Sequence, residues 1–99
     1  MNDRLAAAAN KTRQVLKFPL ELKDVQQIRM PVGTEVVHVH EQHGVPTLWA
    51  ETPAPADPGY ERTFRLIPTG GTVEAAWGAM YLGTVRIDWT VWHVYESVR

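Results

Sequence analysis

The stretch TEVVHVHEQHGVPTLWAE, residues 34–51, predicts a β-hairpin. Apolar and polar residues alternate on both sides of His43-Gly44, and a glycine at the second position of a two-residue turn supplies the positive φ that such turns need. A turn at this point fixes the register of the two strands, and with it the side chains that share a face. One face then carries two apolar cross-strand pairs, Val39 with Leu48 and Val37 with Ala50.

The opposite face of the same hairpin carries His38, His40, Thr47 and Trp49, with His38 directly across from Trp49. Two histidines at alternate positions of a strand are candidate metal ligands, provided that a third ligand converges on them. Glu41 points to the other face, His43 lies in the turn and His93 is distant in sequence. We therefore predict no metal and no other cofactor, and interpret the imidazole face as one wall of a ligand pocket.

Composition limits the function classes. A chain of 99 residues forms one domain of ordinary size. It has no cysteine, which excludes disulfides and thiolate zinc sites. A net charge of −1 argues against a DNA mimic and gives no strong nucleic-acid signal. Neither a membrane-length apolar run nor a signal-peptide pattern is visible, so we expect no membrane partner and an intracellular location.

The N-terminal segment, residues 1–17, is basic and rich in helix formers. Its apolar residues fall near helical spacing, and Phe18-Pro19 would end a helix because the residue before proline is pushed out of the helical region. We predict a helical arm over 1–17. It is either a frayed terminal helix or an arm that docks on a partner or on a second copy of the chain.

Residues 18–99 are predicted to form a single antiparallel β domain. Further strands are expected in 25–30, 61–68, 81–87 and 90–96, and the last two form a second hairpin around Asp88-Trp89. The proline-rich segment 52–60 and the glycine-rich segment 69–80 are predicted loops. The predicted fold class is mainly β: a small twisted sheet or open barrel of five or six strands with an N-terminal helical arm.

Four tryptophans are many for a domain of this length, and its core has room for about two of them. The others are expected in a pocket or a subunit interface, which favours a homo-oligomer. The glycines of PTGGT, residues 68–72, allow main-chain N–H groups to approach a phosphate. The predicted ligand-binding residues are His38, His40, Trp49, Arg65, Thr69, Gly70, Tyr81, Trp92 and His93.

The sequence does not favour an enzyme. Acid–base or nucleophilic chemistry needs a carboxylate pair or a hydroxyl beside a base, and the one serine, Ser97, lies near the C-terminus. A general base at His38 or His93 is conceivable, with partners among Thr69, Thr84 and Arg65, but the spacing does not require it. We therefore assign no catalytic residue.

The order of the segments FPLELKDVQQIRMPVGTEVVHV, LWAE, RTFRL, YLGTV and VWHVYE resembles a family of small bacteriophage and prophage proteins with no established activity. The resemblance runs from Phe18 to Glu96. Two features depart from it: the family's Gly-Thr-Gly segment is replaced by residues 68–71, and the N-terminal arm is extra. The resemblance implies a phage origin, a shared fold and a location in the cytoplasm of the bacterial host.

A phage origin favours an accessory factor that acts against host defences. The aromatic, arginine and imidazole side chains suit a protein that sequesters a nucleotide-derived immune signal. The alternative is an inhibitor that covers a host defence protein, as anti-CRISPR proteins do. A third hypothesis is a small phosphodiesterase or metal-dependent hydrolase.

Overall fold

The computed structural model describes residues 12–99, which form seven β-strands. The strands are β1 Arg13–Pro19, β2 Val25–Met30, β3 Glu35–Gln42, β4 Val45–Pro53, β5 Tyr60–Pro68, β6 Met80–Ile87 and β7 Thr90–Ser97. A single turn of 3₁₀ helix covers Ala75–Trp77. The mainly β prediction is confirmed. No helix in this part of the chain is long and apolar enough to cross a membrane.

The predicted N-terminal helix is wrong from Arg13 onward. Residues 13–19 form a strand that pairs antiparallel with β4, so that Phe18 lies opposite Leu48 and Leu16 opposite Ala50. Cross-strand hydrogen bonds and burial of alternate side chains override the weak helix propensity of this segment. The rest of the predicted arm, residues 1–11, lies outside the described residues.

The central hairpin, β3 with β4, turns at His43-Gly44 as predicted, and both residues have positive φ, 52° and 80°. Val39 pairs with Leu48 and His38 with Trp49, which confirms the register near the turn. The predicted pairing of Val37 with Ala50 is wrong. A β-bulge places Val36 opposite Ala50 and leaves Val37 as an extra residue, 53% exposed.

The strands form two antiparallel sheets rather than one. Sheet 1 has the order β1-β4-β3, and sheet 2 has the order β2-β5-β7-β6. Both sheets contribute to one apolar core, formed by Leu20, Met30, Val39, Leu48, Phe64, Leu66, Val85, Ile87 and Val94. Each sheet therefore has one face toward the core and one outer face.

The two sheets meet where β3 lies against β6. Gly83 on β6 makes this approach possible, because a Cβ atom there would lie 2.8 Å from the Cβ of Val39. The sheets are also joined by Arg62 on β5. Its guanidinium donates to the Glu96 carboxylate at 2.6 and 2.8 Å and to the carbonyl oxygen of Thr34, just before β3, at 2.7 Å.

Candidate functional site

The nine predicted ligand-binding residues divide between three places in the fold. His38, His40 and Trp49 lie together on the outer face of sheet 1. The ring centroids of His38 and His40 are 5.7 Å apart, and those of His38 and Trp49 are 5.8 Å apart. The predicted imidazole face is therefore a real cluster, held by the regular pairing near the hairpin turn.

This histidine cluster lacks the third ligand that a metal site needs. Within residues 12–99, no group of three or more His, Asp or Glu side chains is placed to hold a metal ion. His93 lies on sheet 2, and Glu41 is engaged as the acceptor of the Gly44 N–H. The arrangement offers stacking surface and hydrogen-bonding nitrogens rather than a coordination sphere.

The outer face of sheet 2 carries a second group, centred on His93 of β7. Its Nε2 lies 2.8 Å from Thr69 Oγ1 and its Nδ1 lies 3.0 Å from Thr84 Oγ1. Thr84 Oγ1 in turn lies 2.5 Å from the hydroxyl of Tyr81. Two strands, β6 and β7, and one loop thus contribute to a continuous chain of hydrogen bonds, which we call the His93 chain: Thr69, His93, Thr84 and Tyr81.

A β-bulge makes the His93 chain possible. Tyr81 and Thr84 are three residues apart on β6, so strict alternation would place them on opposite faces of the sheet. The ladder with β7 shifts between Tyr81 and Gly83, and the extra residue, Leu82, packs against the core. Both hydroxyls therefore reach the outer face.

The His93 chain has a defined hydrogen-bonding chemistry. A neutral imidazole carries one donor and one acceptor nitrogen, so one of its two threonine hydroxyls donates to the ring and the other accepts from it. Thr69 is exposed and ends the chain. The tautomer of His93 therefore sets whether the Thr69 hydroxyl offers a proton or a lone pair to an incoming group.

Arg65, on the same outer face, stacks on Trp77. Its guanidinium carbon lies 4.0 Å from the centroid of the Trp77 ring, which is cation–π geometry. Nε donates to Ser97 Oγ at 3.2 Å, and Nε and Nη2 donate to the carbonyl oxygen of Arg99 at 3.2 and 2.7 Å. These bonds hold the guanidinium plane in place.

The Arg65–Trp77 pair lines a cleft of about 270 Å³. Asp24, Gly71 and Thr72 line the same cleft, as does Ile67, whose cross-strand partner is His93. None of the four residues of the His93 chain lines this opening, which we call the Arg65 cleft, but Thr69 directly follows Pro68, which does. Trp77 and Asp24 also line this cleft, but they were not among the predicted ligand-binding residues. Neither of them belongs to an alternating strand pattern, which was the main signal for a site in the sequence.

The glycine-rich turn beside the cleft is only partly free to bind a phosphate. The Thr69 N–H donates to the Val91 carbonyl at 3.0 Å, and the Gly71 N–H donates to the Pro68 carbonyl at 2.8 Å. Among residues 12–99, no acceptor is found for the N–H groups of Gly70 and Thr72. Gly70 has a φ of +97°, a conformation that favours glycine.

Two tryptophans of the last hairpin have contrasting environments. Trp92 is partly buried and packs against the core, on the face of β7 opposite to His93, so it does not join the outer-face groups. Trp89, in the turn between β6 and β7, is 90% exposed, with the Arg86 guanidinium 5.6 Å from its ring centroid.

A larger cleft of about 550 Å³ opens where the start of β5, the start of β6 and the end of β7 meet. Tyr60, Met80 and Val98 form its apolar walls, and the Arg62–Glu96 ion pair contributes to its lining. None of these residues is among the nine predicted ligand-binding residues. What Tyr60, Met80 and Val98 share is an exposed apolar side chain near the end of a strand, and this is recognisable only when the positions of the strands are known.

Comparison with known proteins gives one result. The sequence profile of DUF7352, a domain of unknown function, matches residues 11–99. Neither the curated proteins nor the solved structures give a significant match. Since the match covers almost the whole chain, the protein belongs to the DUF7352 family.

Proposed function

We propose that the protein acts by binding, as a phage accessory factor that sequesters a nucleotide-derived host signal in the Arg65 cleft. The observation that carries the proposal is the Arg65 guanidinium stacked on Trp77 at 4.0 Å in the wall of a cleft of about 270 Å³. A stacked guanidinium combines a positive charge with a flat surface, and a nucleotide presents a phosphate and a flat base.

The donors left on Arg65 suit a phosphate. Its Nε and Nη2 atoms are used by Ser97 and Arg99, while Nη1 has no acceptor within the described residues. The Thr72 N–H, also at the cleft, is similarly free in that part of the chain. A phosphate here would accept charge-assisted hydrogen bonds from a side chain that is already oriented.

The remaining groups suit the nucleoside. The Asp24 carboxylate at the cleft is an acceptor for a ribose hydroxyl or a base amino group. The Thr69 hydroxyl, which ends the His93 chain, provides a second adaptable polar contact nearby. The cleft volume is just below the usual range for small-molecule sites, about 300–1,000 Å³, so each cleft would hold one nucleotide unit.

The proposal is tested by native mass spectrometry of the protein after incubation with small-molecule extract from phage-infected cells. We expect a stoichiometric mass increment of nucleotide size. Isothermal titration with AMP, cyclic AMP and cyclic di-AMP would then give the ligand class. A protein that stays bare in the extract and silent toward all three nucleotides would overturn the proposal, and release of a chemically altered nucleotide would replace it by the hydrolase hypothesis.

A matched pair of variants tests the site itself. Arg65→Gln removes the charge and is expected to lower nucleotide affinity about ten- to a hundredfold, the usual loss for a charge-assisted hydrogen bond. Arg86→Gln is the control, because Arg86 also lies over a tryptophan and donates to a backbone carbonyl at 3.1 Å, yet it is outside the cleft. Equal losses in the two variants would argue against the Arg65 cleft.

The second candidate function is inhibition of a host defence protein by direct contact. It is favoured by Trp89, since an exposed indole beside an arginine is the type of residue pair that anchors protein interfaces. Nucleotide binding should survive Trp89→Ser, whereas an inhibitor anchored on this turn should lose its host target. A pull-down from host lysate with wild type and Trp89→Ser separates the two functions.

A further inference from the structure

Among the strands of residues 12–99, β2 has an outer edge on which no other strand lies. The edge of sheet 1 at β1 carries Lys17 and Pro19, which both discourage further strand pairing. The edges formed by β3 and β6 lie against each other where the sheets meet. β2, the remaining edge, has neither a lysine nor a proline among its six residues, nor a bulge in its ladder with β5.

The register shows which backbone groups of β2 face outward. The Leu66 N–H donates to the Asp24 carbonyl at 3.1 Å, so residues 24 and 66 form a hydrogen-bonded pair. Hydrogen-bonded pairs recur at every second residue of an antiparallel ladder. Gln26, Ile28 and Met30 therefore bond to β5, and the N–H and C=O groups of the alternate residues point away from it.

The other side of β5 agrees with this assignment. The Thr69 N–H donates to the Val91 carbonyl at 3.0 Å, which assigns the odd-numbered residues of β5 to β7 and the even-numbered ones to β2. Val25, Gln27 and Arg29 thus direct three N–H and three C=O groups to the free edge. Within residues 12–99 no backbone group pairs with them.

We propose that a second copy of this chain pairs with this edge, β2 against β2 in antiparallel orientation, with Gln27 on the two-fold axis. In this register Gln27 lies opposite Gln27 of the second copy, and Val25 lies opposite Arg29. It is the two-fold register in which all three outward-facing residues of each strand find partners, so it forms six backbone hydrogen bonds.

The side chains are complementary in the same register. The Gln27 amide carries both donors and an acceptor, so two of them across a two-fold axis match each other. Arg29, whose guanidinium donates to the Gly59 carbonyl at 2.8 Å, lies with its aliphatic stem opposite Val25 of the second copy. Val25, 43% exposed in the single chain, becomes covered. These features favour a second copy over an unrelated strand.

The dimer would have one continuous eight-stranded sheet, with the order β6-β7-β5-β2 repeated in reverse. A two-fold axis perpendicular to the sheet keeps both outer faces on the same side. From ordinary strand spacing and rise, the Cα atoms of the two Arg65 residues would then be about 20 Å apart. Two clefts would open on one surface, which suits a ligand with two phosphate groups or two separate molecules.

The test uses the absence of cysteine from the chain. A Gln27→Cys variant places one thiol on each side of the axis, at an expected Cα separation of about 5.5 Å, which a disulfide can bridge. We expect rapid formation of a covalent dimer under mild oxidation. Val15→Cys is the control, because Val15 is exposed on the edge strand β1, away from the proposed axis, and it should form little covalent dimer.

A second variant, Gln27→Pro, tests the dimer without covalent cross-linking. In the assigned register the Gln27 N–H points away from β5, so Gln27→Pro removes only an intermolecular donor. Light scattering should give a dimer for the wild type and a monomer for Gln27→Pro, with cooperative unfolding retained in both. A monomeric wild type, or a Gln27→Pro variant that remains a dimer, would overturn the proposal and leave nucleotide binding by the single chain unaffected.

Discussion

Arg62 and Glu96 form a two-bond ion pair at the junction of the two sheets, with Nε–Oε2 and Nη2–Oε1 distances of 2.6 and 2.8 Å. The side chains are only 12% and 19% exposed. Arg62 also donates to the Thr34 carbonyl, so removal of the carboxylate would leave a largely buried charge with one neutral partner. This pair therefore has more influence on stability than the ion pairs on the surface.

Glu96→Gln should lower the free energy of unfolding by about 2–4 kcal/mol, the range for breaking a hydrogen-bonded and partly buried charge pair. Denaturant titration measures this. Glu51→Gln is the control, since the Arg13–Glu51 pair is 32% and 45% exposed and should contribute less than about 1 kcal/mol. Losses of similar size in both variants would contradict the role assigned to Glu96.

The pair also predicts a pH response for Arg62. The hydrogen bonds that Arg62 donates to the Glu96 carboxylate raise the pKa of Arg62 above its ordinary value, against the opposing effect of burial. A raised pKa in the folded state means that the stabilisation is fully present below the ordinary pKa and is lost only as the pH rises through the folded-state value. Titration of Arg62 should therefore leave stability unchanged across the neutral range. A decline that begins near neutrality and disappears in Arg62→Gln would contradict this.

Gly83→Ala should destabilise the protein, because the added Cβ would lie 2.8 Å from the Cβ of Val39 and the two sheets would have to separate locally. We expect a loss of about 1–3 kcal/mol, as for other overpacked cores. Thermal unfolding measures it, with the exposed neighbour Arg86→Ala as a control that should change little. A neutral Gly83→Ala variant would mean that β3 and β6 do not approach so closely.

Histidine variants show which of the two outer faces binds the ligand. If the ligand occupies the Arg65 cleft, His93→Ala should lower nucleotide affinity about tenfold, since it leaves the Thr69 hydroxyl unsupported. His40→Ala, on the outer face of sheet 1, should change affinity less than about twofold. Isothermal titration distinguishes them, and the reverse order would move the binding site to the hairpin face.

Trp89→Ser should leave the free energy of unfolding within about 0.5 kcal/mol of the wild type, because the side chain is 90% exposed. The tryptophan fluorescence accessible to acrylamide should fall markedly, since the other three indoles are half-buried. A clear loss of stability would show that the Trp89 side chain is covered in the folded protein.

The sequence predicts those features of the fold that depend on residues close together in the chain. The turn at His43-Gly44 and the pairing of His38 with Trp49 follow from alternation and turn chemistry, and the structure contains both. Strand β1 was not predicted from the sequence, because its pairing with β4 is a long-range contact that overrides local helix propensity. Two sheets in place of one also depend on long-range packing of β3 against β6.

The sequence indicated several residues of the candidate site, but it did not indicate how they are arranged in space. Arg65, Thr69, Tyr81 and His93 were identified, yet the bulge that brings Tyr81 and Thr84 to one face has no signature in the sequence. Arg65 and Trp77 meet only because a loop folds back over sheet 2. Trp92 was grouped with the ligand residues by its type, although its strand face directs it toward the core.

The extra residue at Val37 has an evolutionary consequence. Val36 already lies opposite Ala50 and His38 opposite Trp49, so Val37 occupies no rung of the ladder. Loss of this one codon would give an unbroken hairpin with every inward and outward side chain still correctly placed. Deletion of a codon between His38 and Gln42 would instead move side chains of the hairpin to the opposite face. Relatives of this protein can therefore differ in length here without a change of fold, and an alignment gap in the Val36-Val37 pair is harmless.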